Sequence, residues 1–161
     1  MAKLVTTPME PEAILTKDQS LSATSQTDKM QRVPYAEAIG SILWPAMISR
    51  PDITFAVGIL AQFIQNPAEV HWEALKCVIS YLSSTKDLWL TFGGHNANRV
   101  RAFCDADWAS QTHHHSISGY SFHFGDGVVS WSSKKQYIIA LSSTEAKYIA
   151  LTHAAKEALW L

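Results

Sequence analysis

The sequence predicts a chain of the α+β or α/β class, with a small helical bundle followed by a short sheet and one closing helix. Three observations predict it. Apolar residues recur at helical spacing between Tyr35 and Leu82, alternate with a period of two after Lys86, and return to helical spacing from Ser143. Arg50-Pro51-Asp52 and Asn66-Pro67 cut the first region into helix-sized pieces. Gly125-Asp126-Gly127 marks a tight turn between two alternating runs.

Each element follows from local chemistry. Residues 1–33 are rich in Thr, Ser, Pro and Gln without a sustained period, and Pro8 and Pro11 break any early helix. They are expected to form an extended or poorly ordered lead-in, because their apolar surface is too small to offset the entropy of ordering. Residues 34–86 form the expected helical region. Its first helix starts after Pro34 with Ile39, Ile42, Leu43 and Ala46 on one face. Pro51 suits the first turn of a second helix carrying Ile53, Ala56, Val57, Leu60, Phe63 and Ile64. A third begins near Glu69 and presents Val70, Leu75, Val78, Ile79 and Leu82.

Residues 87–161 read differently. Leu88–Phe92 and Val100–Asp105 are expected strands, and Ile117–Phe124 pairs with Val128–Ser133 across the Gly-Asp-Gly turn. The last helix, with Ala146, Ile149, Ala150 and Ala154 on one face, has Ser142 at its N-cap and Glu145 three residues on. That is a capping-box spacing.

Composition narrows the function. Hydrophobic residues make up 47% of the 161 and charged residues 17%, so a packed core is expected rather than a disordered chain. A formal charge of −1 provides no global field toward nucleic acid, so any such contact must be local. Cys77 and Cys104 lack the spacing of a metal or redox motif and read as two thiols in a reducing compartment. The first residues lack the apolar run of a signal peptide, and no stretch approaches the length of a membrane span. These features lead us to expect an intracellular protein of the cytoplasm or nucleus, neither secreted nor in a membrane.

Several runs, taken in order, resemble one family. Thr7-Pro8-Met9, the Tyr35–Ile42 run, Arg50-Pro51-Asp52-Ile53-Thr54-Phe55, His71-Trp72 and Tyr81-Leu82 are similar to the region after the polymerase core of copia-type LTR retrotransposon Pol polyproteins. Asp105-Ala106-Asp107-Trp108, Ser116–Tyr120, Val129–Gln136 and Leu141–Ala146 resemble that family's RNase H domain, as does the final Ala154–Leu161 run. The resemblance implies the end of a reverse transcriptase region followed by a C-terminally truncated RNase H-like fold, beginning with a three-stranded antiparallel sheet and its first helix. It also implies an ancestral activity, hydrolysis of the RNA strand of an RNA–DNA hybrid during reverse transcription. No Tyr-x-Asp-Asp run of the polymerase kind occurs in the sequence.

RNase H chemistry uses two Mg²⁺ ions about 4 Å apart, held by converging carboxylates. By resemblance, Asp105 is the strand ligand. Asp107, on the same strand face, is a turn or supporting residue. The family's helix ligand falls at position 147, where this sequence has Lys147. Glu145 lies two positions earlier, and two steps along a helix turn a side chain by about 200°, so it is a poor substitute and a better cap. A later carboxylate strand is expected to be absent, the chain ending at Leu161. The resemblance therefore implies a pseudoenzyme with no productive Mg²⁺ binding. The alternative is a module that binds RNA–DNA hybrid or other nucleic acid without cutting it.

Other residues have plainer readings. Lys134, Lys135 and Gln136, with Arg99 and Arg101, could contact phosphates, or could simply be a solvated surface. His113-His114-His115 lacks a companion acid or thiol and is not expected to form a metal site. Trp44, Trp72, Trp89, Trp108, Trp131 and Trp160 fall in apolar segments and are expected in the core rather than as stacking platforms. A sheet that lacks its later strands leaves an open edge, so self-association is expected.

Overall fold

The computed structural model describes residues 5–10, 15–16, 19, 30, 32–93, 99–109 and 114–161. The chain divides into two compact units, Met1–Trp89 and Leu90–Leu161.

The first unit is helical. α1 is Tyr35–Ile48, α2 is Thr54–Leu60 between short 3₁₀ turns at Pro51–Ile53 and Ala61–Phe63, and α3 is Glu69–Ser84. Their apolar faces meet in one core of Tyr35, Ile39, Ile42, Ile53, Leu60 and Leu75 with smaller neighbours. The Tyr35 hydroxyl donates to the Leu60 carbonyl at 2.8 Å, so the largest buried side chain is also satisfied. Val5, Met9 and Leu15 pack against this core, and Ser84 Oγ donates to the Val5 carbonyl at 3.3 Å. The described part of the lead-in is therefore anchored by a few apolar side chains, without helix or strand over residues 5–10. The remainder of that stretch lies outside the described residues.

The second unit is a sheet with one helix. β1 is Val100–Asp107, β2 Ile117–Phe124, β3 Gly127–Lys135 and α4 Ser143–Trp160. The strands are antiparallel in the order β1-β2-β3, with Asp105 opposite Gly119 and Tyr120 opposite Ser132. A register shift at Phe122/His123 puts a bulge in the β2–β3 hairpin. Gly125 takes a positive φ of 62° in the two-residue turn, a conformation that suits Gly there. A Cβ on Gly127 would fall 2.5 Å from the Thr91 carbonyl, so only Gly lets the 91–92 segment lie against the hairpin.

Leu88–Phe92 does not form the expected strand; Gly93 alone makes an isolated bridge, to Gly125. Alternation favours an extended segment but cannot provide a ladder partner, and Leu88 and Phe92 stay exposed. The tryptophans are also corrected: Trp44, Trp89, Trp108 and Trp160 are exposed. Trp44 lies off the Ile39–Ile42–Ala46 stripe, Trp89 is in the segment without a partner strand, and Trp160 is at the last turn of α4.

α4 lies on the sheet through Ala146, Ala150 and Ala154, an i, i+4, i+8 row that allows close approach but buries little apolar area. Ile117 and Phe122 are the only large apolar side chains fully buried in this unit among the described residues. Polar bonds add to this small core. Gln136 Nε2 donates to Ser118 Oγ at 2.8 Å and to the Ala146 carbonyl at 2.9 Å, and Ser130 Oγ donates to Glu157 Oε1 at 2.6 Å.

Candidate functional site

Directly opposed residues of an antiparallel pair project to the same face. Ser118, Tyr120 and Phe122 of β2 face α4, as the Gln136 and Glu157 bonds require, and their partners Ala106, Cys104 and Ala102 share that face. Asp105, with Phe103, Gly119 and Ser121, therefore starts on the opposite face. Its Oδ1 nevertheless lies 3.6 Å from Lys147 Nζ of α4. β1 is an edge strand, so a long lysine side chain can meet the carboxylate around the open rim of the sheet.

Asp105 accordingly lines two open depressions. One, of about 460 Å³, includes Phe103, Gly119 and Ser121. The other, of about 470 Å³, includes Cys104, Thr144, Lys147, Tyr148 and Leu151. Asp105 Oδ1 also accepts the Ala106 N–H at 2.8 Å. The Lys147 and Asp105 side chains are 62% and 76% exposed, so the pair contributes little to stability. Its effect is local: the nearest charge to the Asp105 carboxylate is an ammonium.

A pair of Mg²⁺ ions needs several hard oxygen donors converging on one point. Among the described residues no three or more His, Cys, Asp or Glu side chains come together. The charged partner of Asp105 is a cation, so the donor set present does not fit the metal pair. Asp107 ends β1 opposite Ile117, two residues further along the edge.

Glu145 does not line either depression. Ser142 Oγ accepts the Glu145 N–H at 3.1 Å, and Glu145 Oε2 accepts the Leu141 N–H at 2.7 Å. The return bond thus reaches the residue before the N-cap rather than the N-cap itself, and it ties Glu145 to the helix start.

The basic residues do not form one patch. Lys134 stands opposite Ser118 and Lys135 opposite Ile117, so successive pleats send them to opposite faces. Lys134 Nζ lies 5.4 Å from the Tyr137 ring centre. Arg101 stands opposite His123 and donates weakly to the Gly125 carbonyl at 3.4 Å. Gln136 is no surface contact at all: it is 2% exposed and joins strand to helix. Of the three histidines, His113 lies outside the described residues, while His115 Nδ1 donates to the Gln136 carbonyl at 2.9 Å.

Two further polar clusters are structural, and sequence reasoning missed both. Arg50 forks onto Asp52, with Nη2–Oδ2 at 2.7 Å and Nε–Oδ1 at 3.0 Å, while Nη2 also donates to Thr85 Oγ1 at 2.6 Å. The Tyr81 hydroxyl donates to Asp52 Oδ2 at 2.8 Å. His71 is fully buried and stacked on Phe63 with centroids 3.9 Å apart, and its Nδ1 accepts the Ala68 N–H at 2.8 Å. It serves as the cap of α3, a task usually given to Glu or Gln, so a capping search keyed to those residues passes over it.

A helix set against the edge of an antiparallel sheet, with an acid on the strand and a lysine on the helix, gives a unit of helix and sheet with an exposed Asp105–Lys147 pair at its rim. Its relatives identify the lineage. The chain is 40% identical, over 99% of its length, to the retrovirus-related Pol polyprotein from transposon TNT 1-94 of Nicotiana tabacum, and spans 12% of that protein. It is 38% identical, again over 99% of its length, to the retrovirus-related Pol polyprotein from transposon RE1 of Arabidopsis thaliana, spanning 10% of it. A third relative, the secreted RxLR effector protein 161 of Plasmopara viticola, is 46% identical over 82% of this chain, and the match takes in 94% of that protein. Over nearly its whole length the chain is similar to one segment, about a tenth, of retrotransposon Pol polyproteins, which supports a transposon-derived Pol fragment. No family model matches the chain, and no solved structure does.

Proposed function

We propose that the second unit is RNase H-like and catalytically silent, the relic of a domain that cut the RNA strand of RNA–DNA hybrids. The observation that carries this reading is the 3.6 Å approach of Lys147 to Asp105. Lys147 supplies the positive charge at the carboxylate permanently, and a fixed ammonium neither activates water nor brings the further coordination positions that hydrolysis needs. The unit then retains phosphate contacts alone, through Lys134, Lys135 or Arg101, which are independent of sequence and weakened by salt. An intracellular site of action follows from this reading. The Plasmopara relative, named as a secreted effector, is the contrasting case, and fractionation of cells expressing the tagged chain separates the two.

Incubation of the purified chain with end-labelled RNA–DNA hybrid and Mg²⁺ or Mn²⁺ tests the reading, with Asp105→Asn beside it to expose contaminating nuclease. No cleavage is expected from either protein. Cleavage by the natural sequence that Asp105→Asn abolishes would overturn the proposal. Titration of the uncut hybrid at two salt concentrations then reads the binding role: salt-sensitive affinity supports a retained module, and no affinity leaves an inert relic.

A further inference from the structure

His71 is a fully buried imidazole in the helical unit, and its surroundings suit only the uncharged ring. Phe63 stacks on it with the two planes 14° apart, which sets an apolar face where water would stand. Nδ1 accepts the Ala68 N–H at 2.8 Å, so the ring's own proton resides on Nε2. Nε2 closes no hydrogen bond among the described residues, although the Thr16 backbone lies near enough to favour a charged ring slightly. Ala68, at the N-cap, has no polar side chain to cap α3, so the bond from His71 takes that place.

The same ring lies beside the lead-in. Leu15 packs against the helical core, and Thr16, whose N–H donates to Gln19 Oε1 at 2.9 Å, brings its backbone to the imidazole. The charged groups of the elements around it face solvent. On α3, Glu69 is exposed and Glu73 is exposed and paired with Lys76; on the lead-in, Glu10 is exposed. The Ala61–Phe63 turn and residues 64–67 carry no charge. Among the described residues no carboxylate acts on the ring.

We propose that His71 is an acid-operated latch: uptake of a proton releases the first turn of α3 and the Thr16 segment of the lead-in, while the rest of the helical core stays packed. Protonation puts an N–H on Nδ1, directly facing the Ala68 N–H, and two donors cannot share the 2.8 Å gap. The charged ring must therefore swing into water, which opens the Phe63 stack and frees Ala68. Little else holds this stretch down. Between Phe63 and Leu75 the fully buried side chains are Ala68 and His71 alone. The larger buried groups, Tyr35, Ile39, Ile53, Leu60 and Leu75, lie outside it and keep their own contacts, so the opening is local.

Amide exchange of the full chain, corrected for the intrinsic rate at each pH, tests the latch. An open ring with the ordinary value of 6.5 binds the proton that the closed ring refuses. The opening constant at Ala68 should therefore rise about 30-fold from pH 7.5 to pH 5, approaching about tenfold per pH unit at the acid end. The Thr16 amide should open in step, and low urea should leave both unchanged, because a local opening exposes little new surface. His71→Gln keeps the acceptor and cannot charge, so its Ala68 amide should lose the pH dependence. Carbon-13 at the His71 ring gives a second reading in the natural chain, where protonation and Ala68 opening should share one midpoint. Opening at Ala68 that ignores pH, the same dependence in His71→Gln, or a ring that charges without opening would overturn the proposal. So would a Thr16 amide that stays protected, or opening that accelerates with urea as the α2 amides do.

Discussion

Replacing Arg50 by Ala should cost the helical unit about 2–3 kcal/mol, more than a surface ion pair can account for. Arg50 closes the turn between α1 and α2 onto the end of α3. Its side chain is 12% exposed, and it donates three bonds to Asp52, one to Thr85 Oγ1 and one to the Thr85 carbonyl. It also lies 5.6 Å from the Tyr81 ring centre. Hydrogen bonds to charged groups contribute about 1.5–3 kcal/mol each. Asp52, however, is 32% exposed and keeps the Tyr81 hydroxyl, so water recovers part of what the guanidinium provided. Burial raises the Asp52 pKa, but the Arg50 and Tyr81 hydrogen bonds outweigh it and hold the carboxyl below its ordinary value. The stability from this pairing is therefore present above the ordinary carboxylate range and lost as pH falls through the lowered value. Urea unfolding at neutral pH, with hydrogen exchange at the end of α3 as a local probe, reads the effect. Arg50→Lys should not restore it, because an ammonium cannot fork onto a carboxylate and a hydroxyl together. A loss below about 0.5 kcal/mol, or additive effects of Arg50→Ala and Asp52→Ala in a double-mutant cycle, would refute the reasoning.

Three further outcomes are expected. His71 must be neutral to accept the Ala68 N–H. Burial lowers its pKa from the ordinary 6.5, with the Thr16 backbone acting weakly the other way. The unfolded chain thus takes up the proton first, and stability present above about 6.5 declines as pH falls from there through the folded value; His71→Gln, which keeps an acceptor, should flatten that decline in urea titrations at a series of pH values. Gly127→Ala should destabilise the sheet unit by about 1–3 kcal/mol, because its Cβ meets the Thr91 carbonyl at 2.5 Å, and thermal unfolding of the variant checks this. Ser142→Ala should cost about 1 kcal/mol, seen as faster amide exchange in the first turn of α4.

Much of the fold was legible from local pattern. Helical spacing interrupted by Pro51 and Pro67 marks α1, α2 and α3, and strict alternation around Gly125-Asp126-Gly127 marks the β2–β3 hairpin. Ser142 and Glu145 announce the start of α4. These features depend on residues within a turn or two of one another, so the sequence alone contains them. Resemblance likewise pointed to positions 105 and 147 as a pair.

Only the tertiary structure decided the rest. Leu88–Phe92 has a strand's pattern but no ladder partner, and a strand exists only when another backbone accepts its hydrogen bonds. Lys134 and Lys135 are adjacent in sequence yet point to opposite faces, while Gln136 turns inward to bridge Ser118 and Ala146. Arg50 gains its role from Thr85 and Tyr81, whose positions no local period reveals. The side chains of Asp105 and Lys147 meet because β1 is the edge strand and α4 lies beside that edge. The sequence by itself determined which segments are helix, hairpin and cap, because those choices rest on propensity and on contacts a few residues long. Which polar side chains share an environment was decided by chain closure over long separations, where burial and hydrogen-bond geometry select the partner.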